Sequence, residues 1–217
     1  MRLDVDGVEV GHWSDPVART GCTVIVLPEA TVASGEVRGG APATREFALL
    51  DPQRLVDRVD AVVLTGGSAF GLASADGVAA ELERMDRGFP TPAGPVPIVV
   101  AMALFDLAVG DATVRPGPAA GRRAFAARSH DPAVGTVGAG TGATIAKWRG
   151  PDRSRPGGLG VGTVARGDLV VTAVVAVNAA GEPDGGILEE VTEGSLDGWA
   201  GRSQPFTNTT IGCVVTN

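Results

Sequence analysis

The sequence predicts an α/β fold, and three observations carry that expectation. Apolar runs rich in β-branched residues, such as Ala61-Val62-Val63-Leu64 and Leu169 to Val177, read as buried strands. Leu72, Ala75, Val78, Ala79, Leu82 and Met85 recur at helical spacing and place one apolar face on a helix. The chain holds 32 glycines, and apolar runs separate them. They therefore imply tight turns and close backbone approach rather than disorder.

Composition bounds the function. Apolar residues make up 44% of the 217 and charged residues 20%, which is the balance of a globular protein able to bury a core. The net charge is −7 and no basic run occurs, which argues against nucleic acid and against anionic membrane surfaces. Cys22 and Cys213 sit in apolar, strand-like contexts and read as reduced buried thiols. Two histidines and two cysteines without ligand spacing predict no metal site, and no cofactor is expected. Met1-Arg2-Leu3-Asp4 lacks a signal-peptide pattern and no apolar run reaches membrane-spanning length, so a cytoplasmic protein is expected.

Taken in order, Val5 to Val10 and Thr23 to Leu27 read as early strands, joined by a polar turn through Gly11-His12-Trp13-Ser14-Asp15-Pro16. His12 is assigned to ordering that turn rather than to catalysis. Val32 to Val37 alternates as a third strand and runs into Arg38-Gly39-Gly40-Ala41-Pro42, with Arg38 either binding a carboxylate of substrate or partner or, more commonly for such a residue, in an internal ion pair. Asp51-Pro52 has the N-cap and first-turn pattern of a short helix reaching about Val59. The strand Ala61–Leu64 ends in Thr65-Gly66-Gly67-Ser68-Ala69-Phe70-Gly71, ahead of the amphipathic helix, which closes at Gly88. A serine-hydrolase elbow at Ser68 fails on spacing, because Phe70 stands where the second glycine belongs. Ser68 is expected to cap the helix, and the turn to wall a pocket with free backbone N–H groups.

Pro97 to Leu107 is apolar throughout and reads as a buried element, and Pro116 to Arg128 holds a short helix. Gly135 to Ala143 contains a G-x-G-x-x-A match to a dinucleotide loop. No clean strand precedes it and no long helix follows, so that reading is rejected. Lys147 closes this stretch; if buried, its pKa falls and it serves as a base. Val161–Ala165 and Leu169–Val177 form a hairpin around Arg166-Gly167-Asp168. Asn178 ends its second strand, where it either caps the turn or donates an amide N–H to an oxyanion. Residues 179–206 are polar, Gly-rich and irregular, a surface connector.

The end of the chain, Thr207-Asn208-Thr209-Thr210-Ile211-Gly212-Cys213-Val214-Val215-Thr216-Asn217, carries the chemistry. A Thr hydroxyl can attack the carbonyl of the peptide bond just before it. The acyl group moves from nitrogen to oxygen, and water releases it as an ester. The new N-terminal Thr carries both a nucleophile and an amine. That amine titrates at about 7.7–8.0 and so acts as a base near neutral pH without a histidine.

Several blocks together resemble the self-cleaving N-terminal-nucleophile hydrolases that include L-aminopeptidase/D-esterase, β-peptidyl aminopeptidases and nylon-oligomer (aminohexanoate-oligomer) hydrolases. They are Val10-Gly11-His12, Val37 to Pro42, Leu64 to Leu72, Phe105-Asp106-Leu107, Val137 to Ala143, Lys147, Val177-Asn178 and Asn208-Thr209-Thr210-Ile211, in the family's order along nearly the whole chain. The resemblance implies a four-layer αββα sandwich, two sheets packed between helices. It matches Thr209 to the nucleophile, Asn208–Thr209 to the scissile bond, Asn178 to the oxyanion-stabilising Asn and Lys147 to the active-site Lys. Gly67, Ser68 and Phe70 fall in the substrate pocket, Phe70 where several relatives carry a Tyr. Losing that hydroxyl costs about 10²–10³ in rate unless another donor replaces it.

The expected organisation is a single hydrolase domain over 1–217, with 1–208 as the α-chain-like part and 209–217 as the start of the β-chain part. In the family the chain continues well past the nucleophile, so this fold is expected to be incomplete at its C-terminal side, either as a fragment or as a short form. The expected substrate is a peptide or linear amide, with N-terminal peptide bonds, amides or esters, or nylon-type oligomers as its forms, and the expected assembly is a homo-oligomer. Two other readings stand beside this one. One is an acyltransferase of the ornithine-acetyltransferase type, which replaces water with an amine acceptor. The other is an inactive scaffold subunit lacking the C-terminal catalytic part.

Overall fold

Two main sheets packed face to face, with helices on the outer face of the larger and a separate two-stranded ribbon, form the computed structural model, which describes residues 3–181, 183 and 208–217. Its strands are β1 (Glu9–Asp15), β2 (Thr20–Val26), β3 (Ala43–Arg45), β4 (Ala61–Thr65), β5 (Val99–Ala103), β6 (Thr144–Ile145), β7 (Arg155–Pro156), β8 (Gly158–Arg166), β9 (Leu169–Asn178) and β10 (Thr209–Thr216). The helices are α1 (Ser74–Arg84) and α2 (Pro118–Ala126). The larger sheet has the order β1-β2-β4-β5-β3, and the smaller the order β10-β9-β8. Only β4 and β5 run parallel; the other pairings are antiparallel.

Two-sided burial explains why β2 and β4 read as continuous apolar runs. One face of the larger sheet, through Cys22, Val24, Ala61, Val63 and Val99, packs on Ala75, Val78 and Leu82 of α1 and Ala124 and Phe125 of α2. The other face, through Val10, Ile25, Leu64 and Val100, meets Leu159, Val161, Val174, Ala176, Ile211 and Val215 of the smaller sheet.

The helices approach each other through glycines. A Cβ on Gly77 would lie 2.0 Å from the Pro118 carbonyl oxygen, and one on Gly121 would lie 1.9 Å from that of Ser74.

Several expectations shift. The polar stretch Gly11 to Asp15 is strand, and the turn is Pro16 to Arg19. Gly11 marks a close approach rather than a bend: a Cβ there would sit 2.1 Å from the Ala124 carbonyl oxygen of α2. Val32 to Val37 forms no strand beyond one bridge from Val32 to Arg58. Residues 51–59 contain no helix. Asp51 instead ends a 3₁₀ turn over Phe47–Leu50 and accepts from the Gln53 N–H at 2.9 Å. Ser68 caps nothing; it sits at φ 54° inside a 3₁₀ turn (Ser68–Ala73) that leads into α1. The glycines of 138–142 pack tightly on backbone and side chains. A Cβ on Gly138 would meet the Thr23 hydroxyl at 2.1 Å, so this stretch is a wedge between sheets and not a nucleotide loop. His12 joins the same contact, its Nδ1 lying 3.0 Å from Thr23 Oγ1. The expected connector at 179–206 lies mostly outside the described residues.

No helix among the described residues is long and apolar enough to cross a membrane. Among the same residues, no group of three His, Cys, Asp or Glu is placed to hold a metal ion.

Candidate active site

Strand periodicity builds the site. Along β9 the even-numbered residues Thr172, Val174, Ala176 and Asn178 are buried. β10 pairs with it in the register Thr209↔Asn178, Ile211↔Ala176, Cys213↔Val174. Residues directly opposite on antiparallel strands share a face. Thr209 and Asn178 therefore sit side by side on the face that looks into the sandwich, at the end of the β9–β10 ladder. Asn208, immediately before, is exposed.

Asn178 is 0% exposed, and both ends of its amide are held. Its Oδ1 accepts from the Thr144 N–H at 3.0 Å and from Lys147 Nζ at 2.5 Å. Its Nδ2 donates to the Phe105 carbonyl at 3.0 Å. A buried amide with these partners is fixed in orientation. Lys147 follows Ala146, which adopts a left-handed φ of 59° and donates its N–H to the Gly181 carbonyl at 2.8 Å. That tight turn aims the Lys side chain at Asn178. Lys147 is half-buried, and desolvation pushes its ammonium from 10.5 down to about 8. Of the 18 Lys and Arg residues it is the single lysine, and thus the one side chain among them able to give up a proton near neutral pH.

A cleft of about 950 Å³ opens at Thr209; Asn178 and Lys147 are not among the residues that line it. Asn208, Thr209, Ser68, Phe105, Arg38 and Met102 are among its lining residues. Arg38 is exposed and pairs with Glu36 at 2.9 Å. Of the three residues expected in the pocket, Ser68 lines this cleft. The Gly67 N–H instead donates to Asp106 Oδ1 at 2.6 Å. Phe70 is 58% exposed, with the Arg115 guanidinium 3.7 Å above its ring.

Sequence reasoning did not single out Thr144, the Phe105 carbonyl or Asp106. Two of the three contacts are backbone groups, which carry no residue-type signal. Asp106 was visible only as part of the Phe105-Asp106-Leu107 block.

Residues 3–217 match peptidase family S58. The chain belongs to that family. Among curated relatives in it, an uncharacterized aminopeptidase of Mycobacterium tuberculosis is 44% identical over 189 residues, covering 82% of this chain and 52% of its own length. An uncharacterized aminopeptidase of Mycobacterium leprae is 39% identical, covering 99% of this chain and 66% of its own. The chain thus spans about half to two thirds of the curated relatives it matches. The same fold appears in a crystal structure from Pyrococcus horikoshii OT3, with TM-score 0.68 and 20% identity over 98% of this chain and 62% of that one. It appears too in the L-aminopeptidase D-Ala-esterase/amidase of Ochrobactrum anthropi, described as a variant of the Ntn hydrolase fold. There the TM-score is 0.66 at 20% identity, over 82% of this chain and 53% of that one.

Proposed function

We propose that this S58 chain is a self-processing amide hydrolase with Thr209 as its nucleophile, acting as an aminopeptidase. The observation that carries the reading is the placement of Thr209 directly opposite Asn178, itself bonded to Lys147, at the wall of an open cleft.

In the first step Thr209 Oγ attacks the Asn208 carbonyl carbon. The Oγ proton passes to neutral Lys147, the C–N bond breaks, an ester forms, and the amine of Thr209 takes up a proton. Water then hydrolyses the ester, leaving a carboxylate on Asn208 and a free α-amine on Thr209. That amine joins Lys147 in proton transfer for the next substrate. The Thr209 oxygen attacks a substrate amide or ester in the same way, and water releases the acyl group. Asn178, whose Nδ2 donates to the Phe105 carbonyl, is the residue assigned to the oxyanion contact. A cleft of this size admits a peptide N-terminus, an amino-acid ester or a linear nylon-type amide, and the mycobacterial relatives' aminopeptidase names favour the first.

Turnover of amino-acid p-nitroanilides tests the reading. Wild type is expected to release p-nitroaniline and Thr209→Ala to release none above background. Equal rates in the two proteins would remove Thr209 from the mechanism.

A further inference from the structure

Asp106 is a carboxylate 2% exposed, just beyond β5, that the proposed chemistry does not use. Its Oδ2 accepts from Thr20 Oγ1 at 2.8 Å and its Oδ1 from the Gly67 N–H at 2.6 Å. Two glycines are shaped around it. A Cβ on Gly66 would lie 2.0 Å from Oδ2, and one on Gly142 would lie 2.6 Å from it. The carboxylate therefore bonds the start of β2 to the turn after β4, and the glycine wedge that enters β6 packs against it at Gly142.

Those segments are the ones that hold Asn178. The Phe105 carbonyl, which accepts from Asn178 Nδ2, is one residue before Asp106. The Thr144 N–H, which donates to Asn178 Oδ1, is two residues after Gly142. We infer that Asp106 is a positioning residue of the active site: its carboxylate sets the Phe105 carbonyl and the Thr144 N–H, which orient the Asn178 amide and through it Lys147. This deepens the reading of Asn178 and Lys147 as the working pair and rests on it. A carboxylate suits the post because it offers acceptors on both oxygens to donors from two segments.

The single lysine makes the test direct. Lysine labelled with ¹³C at Cε gives one titrating NMR signal, followed from about pH 6 to 11. Four variants are compared with wild type: Asp106→Ala, Asp106→Asn, Thr20→Val and Leu82→Ala. The wild-type midpoint is expected near 8. In Asp106→Ala the pair loosens, water reaches the amine, and the midpoint rises toward 10.5, with self-cleavage slowed by about 10-fold to 100-fold. Thr20→Val removes one donor and gives a smaller rise, which serves if Asp106→Ala fails to fold. Asp106→Asn keeps an acceptor for the Gly67 N–H and places its NH₂ against the Thr20 hydroxyl, so it holds the wild-type midpoint.

Leu82→Ala lowers the melting temperature from the opposite face of the larger sheet and leaves the midpoint in place. An unmoved midpoint in folded Asp106→Ala or Thr20→Val overturns the inference, and so does an equal shift in Leu82→Ala. The lysine signal reads placement whether or not the chain cleaves an amide. Failure of the hydrolase reading, seen as no cleavage in wild type, is thus separate from failure of this one.

Discussion

At the scale of single residues, the proposed mechanism turns on a lysine whose pKa desolvation lowers to about 8, so that a useful share of it is neutral near physiological pH. In the proposed mechanism the nitrogen of Thr209 is locked in a peptide bond before processing, so proton removal from its hydroxyl is assigned to Lys147. Self-cleavage is therefore expected to speed up with pH along a limb centred near 8, the value to which desolvation brings this ammonium. Lys147→Arg keeps the charge but cannot deprotonate in this range, so it should lose the limb and slow processing by about 10²-fold or more. Rates followed by gel or mass from pH 6.5 to about 9.5 check this; a profile unchanged in Lys147→Arg would take the base role away from Lys147. Thr209, Asn178 and Lys147 were each nameable from the sequence, by residue type and by the motif blocks around them. What holds them was not legible. Lys147 meets Asn178 across 31 residues, Asn178 meets Phe105 across 73, and Thr20 meets Asp106 across 86. Local patterns carry no information about such closures, and two of the partners of Asn178 are backbone atoms common to every residue.

At the scale of elements, the strands with a plain period or a continuous apolar run were readable: β4, β8 and β9 overlap the segments where the sequence placed them, as do α1 and α2 within a few residues. The misreadings have separate causes. Glycine was taken as a turn signal in Gly11 to Asp15, where it is a contact signal, cleared for α2 to touch the strand. Val32 to Val37 alternates in sequence but, beyond the one bridge at Val32, runs unpaired along the cleft, every residue of it lining that gap and both valines exposed. The same contact logic predicts an inverted glycine effect in α1. Ala for Gly inside a helix ordinarily gains about 0.5–1 kcal/mol. Gly77→Ala should instead destabilise, because its methyl would fall 2.0 Å from the Pro118 carbonyl oxygen and force α2 away. Thermal denaturation decides the sign, and a raised melting temperature would contradict the close α1–α2 packing.

At the scale of the whole molecule, the sandwich buries Cys22 and partly buries Cys213, and this sets its response to alkali. Burial raises Cys22 from 9.0 to about 12 and Cys213 to about 11. The folded pKa of each lies above its unfolded value, so their contribution is full below 9 and is lost as pH rises toward 11 and 12. Each thiol can steepen the fall by up to about 1.4 kcal/mol per pH unit. Lys147 acts the other way: its folded pKa is depressed, so stability gains between about 8 and 10.5 as the unfolded chain holds its proton longer. Two thiols outweigh one partly exposed amine, and urea midpoints are expected to fall between about pH 9 and 11, less steeply in Cys22→Ala. The α/β class was legible from buried strands and one amphipathic helix and the two-sheet layering only through the family resemblance, whereas the cleft was not, because it is a gap between segments distant in sequence. The central claim, that this gap holds a nucleophile which first cuts its own chain, is tested most directly by intact mass of purified protein, fresh and after incubation, beside Thr209→Ala. The account predicts loss of the piece beginning at Thr209 in wild type only. Release of that piece from both proteins, or from neither, would contradict it.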